Sequence, residues 1–140
     1  MKNARNILLI LLTLIFGESC AQNNAEELKK LTGKIKFTKS ESTKLEQNSF
    51  IVLDSISDFL KLNEFEYYIE SHSSMRGKSE FNLKKTQKRS ELIKLELIKR
   101  GIESERLFCK GLGETNRIYL SPTRAGDLKN ERIVIIKKEL

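Results

Sequence analysis

"SHSS", residues 71 to 74, holds the chain's single histidine among three serines, and it is the first place where chemistry could sit. A serine nucleophile needs a base positioned on its hydroxyl. Neighbours along an extended chain point to opposite faces, so adjacency of His72 to Ser71 and Ser73 does not make a dyad. A metal site fares no better. One histidine cannot build a histidine-rich centre, and Cys20 and Cys109 lack any paired ligand spacing. "GLGE" at 111–114 is too short for a phosphate-binding loop and opens no helix. These absences argue against an enzyme and leave no call for a cofactor or metal. Lys84, Lys85, Lys88 and Arg89 form a basic run on one segment, and a solvated basic face is the ordinary outcome for such a run.

The elements that must position these residues follow from periodicity. Residues 33–39, "GKIKFTK", alternate Ile35 and Phe37 with lysines and fit a strand with one buried face. Thr43 and Glu46 have capping-box spacing for a helix that sets Leu45, Leu53, Ile56, Phe59 and Leu60 along one side and ends near Leu62. "FEYYIESH" alternates again as a second strand. Gly77 supplies a turn, Ser79 an N-cap, and a long helix runs from about Glu80 to Arg100. Its first half is polar and its second half apolar, with Gly101 as C-terminal cap. Residues 106–111 and 132–138 read as two further strands, separated by a loop over 112–131. Loops of that length in compact domains are usually functional or disordered. The order β-α-β-α-β-β predicts an α+β domain with two main helices on one face of a mixed sheet.

The 140 residues suit one domain plus a tail, and a net charge of +7 would fit an anionic partner. The N-terminus narrows that choice. Lys2 and Arg5 precede an apolar run, Ile7 to Phe16, followed by Gly17 to Cys20. This is the pattern of an export signal, and the run is about half the roughly 20 residues a spanning helix needs. Export removes most of the case for nucleic acid. The segmentation is therefore a signal over 1–19, a tether over 20–32 and a domain over 33–140. Cys20 at the cleavage point resembles a bacterial lipoprotein signal, in which the cysteine becomes the acylated N-terminus. Cleavage after Ser19 or Ala21 with an unmodified or removed Cys20 is the alternative. Cys109, in "RLFCKG", reads as a small buried core residue.

From Ile35 to Leu140 the chain resembles an OmpA-like C-terminal domain of the peptidoglycan-associated lipoprotein type. That pattern is a strand ending Gly-His-Thr-Asp, a Gly turn, Asn-x-x-Leu-Ser-x-x-Arg-Ala on the helix, a Gly-Ile helix end, Gly-x-Gly-Glu, and a closing Asn-Arg-Arg-Val. Here it reads Ser71-His72-Ser73-Ser74, Gly77, Phe81-Asn82, Thr86, Arg89-Ser90, Gly101-Ile102, Gly111-Leu112-Gly113-Glu114 and Asn130-Glu131-Arg132-Ile133. Leu53-Asp54 also matches the family's first helix. The resemblance implies an OmpA-like sandwich that binds peptidoglycan non-covalently, through the diaminopimelate of its stem peptide. It implies a lipid-anchored outer-membrane protein on the periplasmic side, with envelope proteins as further partners. The Asp and Arg that grip the ligand's ammonium and carboxylate correspond to Ser74 and Arg89. His72, Asn82 and Arg132 complete the expected ligand-binding set, with Asn82 either orienting the turn or touching the ligand. Ser74 carries no charge where the pattern has Asp, and Lys85 stands in place of Leu. A domain that keeps the fold but docks a protein instead of the wall is the alternative function.

Overall fold

The computed structural model describes residues 24–120 and 123–139. The expected export signal over 1–19 and Cys20 lie outside them. Residues 24–32 form helix α1, followed by α2 (Gln47–Leu60), β1 (Tyr67–His72), α3 (Ser79–Lys99), β2 (Leu107–Gly111), α4 (Arg124–Asn130) and β3 (Arg132–Lys137). The fold is α+β, as expected. The sheet order is β2-β1-β3, with β1 parallel to β2 and antiparallel to β3. A parallel pair needs a long crossover, which α3 provides.

One face of the sheet is buried through Tyr67, Ile69, Leu107, Ile133 and Ile135. Against it lie Leu53, Ile56 and Leu60 of α2, and Ile93 and Leu97 of α3. The buried positions of α3 form one stripe: Asn82, Thr86 and Arg89 in the first half, Ile93 and Leu97 in the second. The apolar half secures the helix to the core, and its polar half is thereby carried over the end of β1. At the far end Gly101 has φ +91°, Ile102 N–H donates to Leu97 O (3.2 Å) and Gly101 N–H to Ile98 O (2.9 Å). This Schellman arrangement stops the helix and seats Ile102 beside Leu97 in the core.

Six local expectations are corrected. Residues 33–39 form no sheet strand; Phe37 makes a single antiparallel bridge to Leu45. The alternation finds a local partner instead of the sheet: Thr38 N–H donates to Lys44 O and Glu46 N–H to Lys36 O, closing a small hairpin. The Thr43–Glu46 capping box does not form, because the helix starts later, with Glu46 at its N-cap and no side-chain cap bond. Ser49 ties that end instead, accepting from Lys36 N–H (2.8 Å) and donating to Lys36 O (2.9 Å). Ser79 is the first helical residue of α3, not its cap. The tether is helical over 24–32 and buries Leu28 and Thr32, four apart on one face. The loop over 112–131 contains α4, whose cap Thr123 accepts from Gly126 N–H at 3.1 Å. Cys109 is half-buried.

Candidate functional site

At the C-terminal end of β1 a groove of about 460 Å³ opens between the 39–42 turn, the 74–77 turn, the start of α3, and α4. Its walls include Ser40, Glu41, Ser74, Asn82, Lys85 and Glu131, and Phe81, Arg124 and Leu128 also line it. The centre of the wall is one carboxylate. Glu131 Oε1 accepts from Ser74 N–H (3.2 Å), Ser74 Oγ (3.3 Å) and Lys85 Nζ (2.9 Å), and Oε2 accepts from Arg89 Nη1 (2.5 Å).

Arg89 is 2% exposed and sits behind this carboxylate. Its Nε donates to Ser42 O (2.8 Å), and its Nη2 faces the carbonyls of Lys39, Ser40 and Ser42 at 3.1, 2.9 and 2.6 Å. The Phe37 ring lies 4.0 Å from the guanidinium carbon, a cation–π contact. The hairpin that replaced the expected strand thus wraps the arginine in carbonyl oxygens. Lys85 is also buried and spends a second N–H on Ser40 O at 3.0 Å.

Burial pulls Arg89 below its usual value, opposed by the charges of Glu131 and Glu41. No such shift takes an arginine near neutrality. Burial alone would raise Glu131, but the Lys85 hydrogen bond and charge, the Arg89 charge and the Ser74 N–H outweigh it. Its carboxyl is held below the ordinary range, so Glu131 faces Arg89 as a carboxylate at neutral pH.

Asn82 is fully buried and donates to Ser74 O (3.3 Å) and Arg76 O (3.1 Å), so it shapes the turn. Gly113 N–H donates to Thr86 Oγ1 and Gly111 N–H to Gln87 Oε1, which locks the end of β2 onto α3. A Cβ at Gly111 would run into the Gln87 backbone, so only glycine permits this approach.

Ser74, Asn82 and Arg89 are therefore brought together. His72 and Arg132 are not among the groove-lining residues. They face each other in the β1–β3 register and share a sheet face with Glu70. His72 Nε2 lies 3.7 Å from Glu70 Oε2, while burial and then the Arg132 charge lower the imidazole pKa to about 4. Arg132 donates to Asn116 O and Asn130 O, bracing the segment after β2. Sequence reasoning missed Glu131 and the burial of Lys85. The signal for Glu131 was present, since it is an acid where the closing motif has its first arginine.

Residues 37–131 match the model of the OmpA family. Outer membrane protein A of Bordetella avium is 26% identical over 85 residues, which cover 60% of this chain and 44% of that protein. The chain thus spans less than half the length of that relative. The fold is similar to that of the peptidoglycan-associated lipoprotein from Burkholderia pseudomallei, at TM-score 0.68 and 22% identity over 73% of this chain and 87% of the other. It is also similar to the cell wall anchor of the T6SS from Pseudomonas aeruginosa, at TM-score 0.66 and 18% identity over 82% and 93%.

Proposed function

The chain belongs to the OmpA family, and on that premise we propose that it binds peptidoglycan non-covalently in the groove at the end of β1, as a non-enzymatic module of the cell envelope. One observation carries the reading: Ser74 and Arg89, the two positions expected to grip the ligand, converge on a single carboxylate in the wall of an open groove. The diaminopimelate of the stem peptide carries an ammonium and a carboxylate on one carbon. Its recognition needs both signs of charge within a few ångströms. Charged groups of both signs line the groove: Glu41, Lys85 and Arg124, and Asp127 paired with Arg76. The export signal and Cys20 support an acylated, outer-membrane-anchored protein on the periplasmic side, held by several acyl chains.

A second reading has its own support. Arg89 spends its donors on the 39–42 carbonyls and Glu131, and the groove's rim exposes Phe81 and Leu128. Both features favour a module that docks an envelope protein. Co-sedimentation with purified sacculi separates the two. The full-length chain in mild detergent is expected to pellet with sacculi. Glu41→Lys, at an exposed rim position, is expected to weaken that binding about tenfold, or ~1.4 kcal/mol, with the fold intact. A folded protein that stays in the supernatant would sink the wall-binding reading in favour of the second.

A further inference from the structure

We infer that Ser74, Lys85 and Arg89 form a receptor for a single carboxylate, and that Glu131 fills it as a built-in occupant. The wall-binding reading enters only in saying which external carboxylate competes.

Four donors of different kinds meet on Glu131: a backbone N–H, a hydroxyl, an ammonium and a guanidinium. Such convergence is what binding a free anion requires. Two buried cations bond one buried carboxylate. The further charges acting on them, Glu41 on Arg89 and Glu114 on Lys85, make no ion pair with either, and carbonyls of the 39–42 turn take other N–H groups of both. Buried charge is costly unless paired, so the place between these cations demands an anion, whichever molecule supplies it.

Glu131 is placed so that it can leave. It is the single residue between α4, which ends at Asn130, and β3, which starts at Arg132. Its φ of −73° and ψ of 87° belong to neither element, and its side chain forms part of the groove wall. Rotation of this side chain breaks no sheet hydrogen bond. A tethered competitor acts at an effective concentration in the millimolar range or above. An external carboxylate therefore binds weakly while Glu131 is present and more tightly once it is removed.

The test is the full-length Glu131→Ala chain with acetate as probe, and chloride at equal ionic strength as control. The melting temperature of the variant is expected to rise by about 5 °C between 100 mM chloride and 100 mM acetate. The unaltered chain, whose receptor is filled, is expected to differ by less than about 1 °C. If Glu131→Ala does not fold in chloride, acetate is expected to refold it. Glu131→Gln, which keeps the side chain in place, is expected to fold and to ignore acetate. Equal responses from the unaltered chain and Glu131→Ala would overturn the inference, as would a Glu131→Ala chain that neither melts higher nor refolds in acetate. Because sacculi play no part, failure here leaves wall binding standing, and failure of wall binding leaves the receptor standing.

Discussion

Arg89 and Arg106 are both buried arginines, one beyond each end of β1, and each clamps a turn through carbonyl oxygens. Arg106 donates to Phe65 O (3.0 Å), Leu60 O (2.9 Å) and Asn63 O (2.7 Å), so it holds the connection from α2 into β1. Leu60 is the last residue of α2, where the helix dipole favours a cation. Arg89 clamps the 39–42 turn in the same way but adds a carboxylate, a neighbouring lysine and a groove. Partners of the first arginine are neutral oxygens, three backbone carbonyls and, at 3.5 Å, Asn63 Oδ1. One partner of the second is a side chain whose place another anion can take. The same residue type thus serves as a staple at one end and as the support behind a groove wall at the other.

The largest effects should come from removing each arginine. Arg89→Ala strands Glu131 against Lys85 alone and frees the 39–42 turn; breaking a buried pair from one side costs about 3–5 kcal/mol. Arg106→Ala loses only charge-assisted bonds to neutral carbonyls, about 1.5–3 kcal/mol. Urea unfolding of both variants checks the order. Glu131→Gln should deepen the loss in the Arg89→Ala background, because Lys85 is then buried without its anion, and should cost more there than its effect on the acid-independent Arg106 contacts would suggest. A larger loss at Arg106 would break the comparison. Loss of wall binding by Arg89→Ala would say little about ligand contact, since the turn beside the groove depends on this side chain.

Acid should separate the ends next. His72 is buried and its folded pKa of about 4 lies below the ordinary 6.5. Between those values the unfolded chain binds the extra proton, so stability is complete above pH 6.5 and falls as pH drops towards 4, by up to ~3 kcal/mol. Glu131, whose carboxyl is depressed, adds a second loss that begins as pH falls through the ordinary carboxylate range and is complete below its folded value. Both groups lie at the Arg89 end, whereas the carbonyls around Arg106 do not titrate. Amide exchange in residues 39–46 should therefore accelerate on acidification before that in 60–66. His72→Gln should flatten the stability profile between pH 6.5 and 4; an unchanged slope would remove His72 as its cause.

Much of this contrast was open to sequence reading, and the remainder has a physical reason for being hidden. Hydrophobic periodicity located α2, α3 and the three sheet strands, because each buries one face and repeats at its own period. It also suggested a strand at 33–39, because alternation cannot tell a local hairpin from a sheet edge. Arg89, Asn82 and Ser74 were found through the motif resemblance. What they touch was not legible: the acceptors of Arg89 are backbone carbonyls, which carry no residue signature, and a carboxylate 42 positions away. Lys85 looked like a solvated lysine, since nothing local reports that Ser40 O and Glu131 close over it.

Ser74→Asp gives the smallest effect and bears most directly on whether the Arg89 end is a site with an exchangeable anion. On the motif alone, restoring an acid at position 74 should restore a grip on the ligand's ammonium. The structure predicts otherwise. Ser74 Oγ lies 3.3 Å from Glu131 Oε1, so the new carboxylate would face an existing one. Two such charges ~4 Å apart repel by about 4 kcal/mol at an effective dielectric of 20. Attraction to Lys85 and Arg89 offsets most of this, leaving a loss of ~1 kcal/mol and no gain in sacculus binding. Pairing Ser74→Asp with Glu131→Ala removes the conflict. The new acid then meets the ligand's ammonium without facing Glu131, Lys85 and Arg89 are open to its carboxylate, and sacculus binding should rise about tenfold over the unaltered chain. If Ser74→Asp alone raises binding, Glu131 is no competitor and the two arginines differ less than their partners suggest. If only the pair does, the carboxylate at the Arg89 end is exchangeable, which no substitution around Arg106 can reproduce.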